Sequence, residues 1–127
     1  ATMTAECRSR DAAKLEAQAE HMETCLREAC KKYGAALEFE RTKAYDAFKH
    51  AEDAPVIRRV AAAMTAAGLT PTLKPSGGGS DANNMCACGM QAVVVGTGMD
   101  KVHTTAEQIA VADLESTASM VLELIKA

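Results

Sequence analysis

The sequence contains no tryptophan, two tyrosines and two phenylalanines. A core without large rings must be assembled from Ala, Val, Leu, Ile and Met, a lean inventory for independent stability in a short chain. Basic residues are not in excess: 14 Lys and Arg stand against 17 Asp and Glu, a formal net charge of −3. That balance argues against nucleic acid as a partner, because a row of phosphates needs a basic stripe to neutralise it. No apolar run approaches the length that spans a bilayer, so no membrane partner is expected. No paired cysteine framework is present either. The five cysteines, Cys7, Cys25, Cys30, Cys86 and Cys88, are odd in number and match no zinc-binding spacing. Cys86 and Cys88, the tightest pair, read as small buried hydrophobes flanking a short helix, and free thiols point to a reducing, cytoplasmic setting.

The 127 residues suffice for one ordinary domain or two half-sized units. The chain opens at Ala1 directly in strand-like alternation, whereas a natural terminus more often begins with a polar tail. The expectation is therefore the C-terminal piece of a longer polypeptide.

Residues 2–8 alternate, with Met3, Ala5 and Cys7 on one face and Thr2, Thr4, Glu6 and Arg8 on the other. This predicts a half-buried strand. Asp11 stands where a helix N-cap belongs. Leu15, Ala19, Met22, Leu26, Ala29 and Tyr33 then recur at three- and four-residue steps, the mark of an amphipathic helix, and Gly34 stops it. Residues 36–46 alternate again, with Leu37, Phe39 and Tyr45 on one face. The unit predicted over residues 1–48 is strand, helix, strand, half of a ferredoxin-like domain that needs further strands.

Residues 49–54 have linker composition. Pro55 opens the next helix, with Val56, Ile57, Val60, Met64 and Ala67 as its apolar face and Gly68 as its end. A short extended stretch at 70–74 leads to a glycine loop, and Ser80 or Asp81 caps a short helix running to about Cys88. Met90 to Val95 reads as a strand buried on both faces. Asp113 caps a last helix whose Leu114, Ala118, Val121 and Ile125 face inward. Residues 55–127 thus predict helix, strand, helix, strand, helix in an α/β layer fold, with ligands at the carboxyl ends of the strands.

Two glycine-bearing loops carry the chemistry. In Ser76-Gly77-Gly78-Gly79-Ser80-Asp81 the triple glycine permits close backbone approach to a ligand, and the helix start behind it favours anions. A phosphate loop of Walker type would require Gly-Lys-Ser/Thr, so a carboxylate or oxyanion fits better; a flexible turn also fits. The second loop, Gly96-Thr97-Gly98, delivers His103, four residues before Glu107. Imidazole is the commonest metal ligand, yet a lone histidine in a loop is usually only solvated, and one histidine cannot hold zinc. His21 and His50 read as surface residues. Arg8, at a strand end on the polar face, is either a solvated arginine or a bidentate clamp for a carboxylate.

Leu73-Lys74-Pro75-Ser76-Gly77-Gly78-Gly79-Ser80-Asp81-Ala82-Asn83, an apolar stretch, a glycine loop and His103-Thr104-Thr105-Ala106-Glu107 resemble the C-terminal part of the M20 metallopeptidases. Glu6-Cys7-Arg8-Ser9-Arg10-Asp11 and the helix after it resemble the second half of that family's lid, or dimerisation, domain. Within the family the resemblance is to the tripeptidase, peptidase T-like, branch. It implies residues 1–48 as lid, 49–54 as linker and 55–127 as the C-terminal part of a catalytic domain. It further implies two zinc ions in the parent protein, with a metal-activated water attacking the peptide carbonyl. By resemblance His103 is the one metal ligand here, Arg8 grips the C-terminal carboxylate of a short peptide substrate, Gly79 and Ser80 line the substrate pocket, and Glu107 supports the histidine. The family's His-x-Asp motif, bridging Asp and Glu-Glu pair have no counterpart in the sequence. The isolated chain, lacking that N-terminal part of the polypeptide, is thus expected to hydrolyse no peptide, and a homodimer through the lid sheet is expected. Two other readings are a non-catalytic dimerisation or peptide-binding module, and an M20 amidohydrolase acting on N-acyl amino acids.

Overall fold

The computed structural model describes residues 1–126. Among the described residues four helices form: α1 (Ala12–Tyr33), α2 (Pro55–Ala66), α3 (Asp81–Ala87) and α4 (Val111–Lys126). The chain divides into two compact units, one of residues 1–48 with 76–88 and one of residues 49–75 with 89–127.

In the first unit α1 forms where its apolar spacing places it, and both ends are closed by side chain or backbone. The Asp11 carboxylate accepts the Lys14 N–H at 2.9 Å, satisfying one of the donors that a helix start leaves free. At the other end Gly34 is left-handed, and the Ala35 N–H reaches back to the Cys30 carbonyl at 2.9 Å, as in a Schellman ending. Leu15, Ala19, Met22, Leu26 and Cys30 make a half-buried stripe, whereas Tyr33, expected to face inward, is 77% exposed. Leu37 and Phe39 of the extended segment are half-buried, Arg27 of α1 lies over the Phe39 ring, and Arg41 pairs with Glu16.

The second unit is built on α2 and α4, the one pair of helices that packs together among the described residues. Pro55 occupies the first turn of α2, where its missing N–H costs nothing. Ala63 of α2 and Met120 of α4 are buried to 3% exposure each. The Arg59 guanidinium donates to the Leu124 carbonyl near the end of α4, a favourable place for a cation because the last carbonyls lack helical partners. Two details correct the sequence reading. α4 starts at Val111, so Asp113 lies inside its first turn rather than capping it. Leu114, Val121 and Ile125 are exposed by 56%, 42% and 73%, so the face that packs is the one through Met120.

The α/β expectation is overturned. Among the described residues no sheet forms, and the one strand-like pairing is an isolated antiparallel bridge between Asp100 and Gln108. The β-α-β lid half is therefore absent as a sheet: residues 2–8 and 36–46 are not paired in a ladder. The catalytic-domain portion likewise has helices without strands between them. Met90 and Val94, expected to be buried on both faces, are exposed by 60% and 59%. The physical reason is that alternation fixes which side chains share a face, while a strand needs a second backbone about 4.8 Å away to take its N–H and C=O groups.

Burial tells the same story. The accessible surface is 10140 Å². A folded monomer of this mass would expose roughly 6500 Å², and two separate bodies of half the mass roughly 7800 Å². Much apolar surface is thus left without a partner.

Candidate functional site

Arg8, Gly79 and Ser80 fall in the first unit, and His103 and Glu107 in the second. In the first, Arg8 follows the extended N-terminal segment and is exposed. Its Nε–H donates to Glu6 Oε1. Glu6 holds the guanidinium protonated more firmly than usual, with a smaller effect from the nearby Tyr45 phenol. Arg8 in turn lowers the Glu6 carboxyl below its ordinary range. The pair engages Nε, and among the described residues no hydrogen bond is made by either Nη nitrogen.

The glycine loop is anchored at its end by α3. The Ser80 N–H donates to Asn83 Oδ1 at 3.0 Å, and Asn83 Nδ2 donates to the Asp46 carbonyl at 2.8 Å. Asn83 is 7% exposed, and both bonds are half-buried. The Asp46 carboxylate is held by Lys43 Nζ at 2.8 and 2.9 Å. Gly79 gives room to a ring: a β-carbon there would overlap Cζ and Oη of Tyr45 as the ring is placed. Neither Tyr45 nor Asn83 stood out in the sequence as a site residue. The Ser80-to-Asn83 spacing, a capping box with Asn in place of the usual Glu or Gln, was the available signal for Asn83.

In the second unit His103 sits on a closed loop. Asp100 and Gln108 pin its neck by two backbone bonds of 2.9 and 3.2 Å. Inside it, Glu107 Oε2 accepts the His103 main-chain N–H at 2.7 Å, and Thr104 Oγ1 donates to the Lys101 carbonyl at 2.7 Å. Lys101 and His103 both take left-handed backbone, with φ of 52° and 63°, a conformation that costs a non-glycine residue about 1–2 kcal/mol. Glu107 therefore acts on the backbone of His103. The imidazole is on the surface. His50, read from the sequence as a surface residue, is half-buried and bonded through Nε2 to the Ala92 carbonyl at 2.7 Å.

Among the described residues of this second unit, two hollows bear on the site. The larger, about 550 Å³, is lined by Val56, Arg59, Val60, Gln91, Val93, Leu124 and Ile125 and contains none of the five candidate residues. The smaller, about 330 Å³, is lined by Gly98, Asp100, Gln108, Ile109, Ala110 and Asp113, at the neck of the His103 loop.

Among the described residues no three His, Cys, Asp or Glu side chains gather as a metal-binding group. A catalytic zinc takes three protein ligands. The residues present therefore do not form a metal site, and His103 is a single donor.

Comparison with known proteins reaches nearly the whole chain. The model of peptidase family M20/M25/M40 matches residues 5–127. The Bacillus subtilis (strain 168) protein YqjE, described as uncharacterized, is 34% identical over 122 residues, covering 96% of this chain and 33% of its own length. A succinyl-diaminopimelate desuccinylase from Helicobacter hepaticus is 28% identical over 80 residues, 62% of this chain and 20% of its own. Among solved structures, aminopeptidase PepT from Bacillus cereus ATCC 10987 is 34% identical with a TM-score of 0.74, covering 91% of this chain and 31% of that one. A tripeptidase from Staphylococcus aureus subsp. aureus Mu50 is 30% identical with a TM-score of 0.83, covering 93% and 32%. The chain thus spans about one third of the length of YqjE and of both solved structures.

Proposed function

This chain belongs to peptidase family M20/M25/M40, and from that footing we propose that it is part of an exopeptidase acting on short peptides, of the tripeptidase or aminopeptidase kind. The observation that carries this reading is the joint likeness to PepT and to a tripeptidase, each over more than nine-tenths of the chain.

The residues take roles that their chemistry allows. Arg8 receives the substrate's C-terminal carboxylate on its two Nη nitrogens, where a planar fork meets a planar acceptor. Glu6 steers the guanidinium by holding Nε. Gly79 and Ser80 form the wall of the pocket, fixed through Asn83. His103 is one ligand of a metal, zinc on the family resemblance, whose remaining ligands lie outside these residues. Glu107 fixes the backbone from which the imidazole projects. The protein so read is cytoplasmic, and residues 1–48 serve a homodimer contact. Among the described residues no helix is long and apolar enough to cross a membrane.

A second reading is supported by the desuccinylase relative: hydrolysis of an N-acyl amino acid, in which Arg8 would still receive a carboxylate. The test is a substrate panel on the full-length protein, with tripeptides, their C-terminal amides and N-succinyl amino acids. Turnover of tripeptides, with amides at least about tenfold poorer, is the expected result. Arg8→Ala should raise KM for the free acids and leave the amides nearly unchanged. Turnover confined to N-succinyl substrates would replace the first reading by the second, and an unchanged KM would remove Arg8 from the site.

A further inference from the structure

Tyr45 has no part in the roles above, yet two independent fastenings meet around it. Its ring edge lies so close to Gly79 that a β-carbon there would overlap Cζ and Oη unless the ring moved. One residue on, the Asp46 carbonyl is held by Asn83 Nδ2 at 2.8 Å. The other end of the Asn83 amide takes the Ser80 N–H at 3.0 Å. Residues 43–46 and 79–83 are therefore joined at two adjacent points, one apolar and one polar. Gly79 does not have left-handed backbone, so its missing side chain answers a need for space rather than for conformation. Tyr45 is half-buried, and its phenol lies within electrostatic reach of the Arg8 guanidinium.

We propose that Tyr45 is a positioning residue of the substrate site: its ring seats the Gly79–Ser80 turn on the 43–46 segment, so that the turn and Arg8 meet one peptide carboxylate as a single block. This rests on the reading of Arg8, Gly79 and Ser80 as substrate-facing. A turn that is not seated can drift, and misplacement by about 1 Å costs up to roughly a hundredfold in a reaction that depends on orientation.

The experiment is a double-mutant cycle in the full-length protein, assayed with a tripeptide and its C-terminal amide. Tyr45→Phe keeps the ring and should hold KM within about twofold, whereas Tyr45→Ala and Gly79→Ala should each raise KM about tenfold or more. The Gly79→Ala/Tyr45→Ala double should be no worse than Tyr45→Ala alone, because the added methyl then has room. Additive single effects, or a Tyr45→Ala protein with unchanged KM, would overturn the proposal. Arg8→Ala, made alongside, keeps the two ideas apart. An unaffected KM in that variant with a non-additive Tyr45 and Gly79 cycle removes Arg8 from the site and leaves the seat standing. If no peptide is turned over, the same cycle read as melting temperature decides: a non-additive double supports the seat and an additive one overturns it.

Discussion

The Glu107 carboxylate accepts the main-chain N–H of His103 at 2.7 Å. That bond fastens a histidine whose φ of 63° is unfavourable for any residue with a side chain. The same four-residue spacing on a helix would pair two side chains; here it closes a loop.

Glu107→Ala should lower the protection of the His103 amide from hydrogen exchange and destabilise the protein by about 1 kcal/mol. Glu107→Gln keeps an acceptor oxygen and should lose less than half of that protection. Undiminished protection in Glu107→Ala would show that the carboxylate is not the acceptor that matters. His103→Gly should stabilise the loop by about 1 kcal/mol, since glycine takes this conformation freely.

Asn83 supports a second test. Its amide is sheltered and uses both ends, on the Ser80 N–H and on the Asp46 carbonyl. Asn83→Ala removes a helix cap and leaves a carbonyl without its donor, for a combined cost of about 2–3 kcal/mol in a denaturant titration. Asn83→Asp keeps the cap and loses the donor, and its carboxylate faces a carbonyl oxygen, so it should fare little better than alanine. A loss under about 0.5 kcal/mol in both variants would show that the Ser80 and Asp46 ties are not structural.

These residues also show where the sequence was legible. Asp11, Gly34, Pro55 and Gly68 punctuate helices by local rules, and α1 and α2 lie where those rules put them. The family could be read as well, because the triple glycine with Ser80-Asp81 and the His103-to-Glu107 spacing are compact motifs. The strands were not legible. Residues 2–8, 36–46 and 90–95 alternate or run apolar, but pattern alone supplies no neighbouring backbone, and no ladder forms. α4 misled for a related reason. It is apolar on more than one face, so periodicity could not choose Met120 over Leu114, Val121 and Ile125. Tyr45 was invisible as a partner of Gly79 because that contact joins residues 34 positions apart by space alone.

The pair Arg41 and Glu16 ties the second extended segment to α1. The hydrogen bond from Arg41 is the main cause that holds the Glu16 carboxyl below the ordinary glutamate range. A carboxyl depressed in the folded state contributes stability above its unfolded pKa and loses it as pH falls through the folded value. Melting temperature should therefore fall on acidification below about pH 4.5, and Glu16→Gln should melt slightly lower in the neutral range and show a flatter acidic part, so that the two curves converge at low pH. Raised salt should shrink the difference between the two proteins, because both side chains are exposed. Parallel curves through the acidic range would show that Glu16 has no partner in solution.

Gly98 and Asp113 bind the start of α4 to the glycine loop before His103, and the contact admits no side chain. Gly98 has φ of 87°, and a β-carbon there would lie 2.8 Å from both Cβ and Cγ of Asp113. Two separable penalties should follow in Gly98→Ala: about 1–2 kcal/mol for the left-handed backbone and about 1–3 kcal/mol for the overlap. Adding Asp113→Ala removes Cγ and the carboxylate but keeps Cβ, so the double variant should recover part of the overlap penalty and none of the backbone one. Thermal melts of the single and double variants measure this directly. Full recovery in the double would mean that the backbone at position 98 is unstrained, and no recovery would mean that the loop does not rest on Asp113.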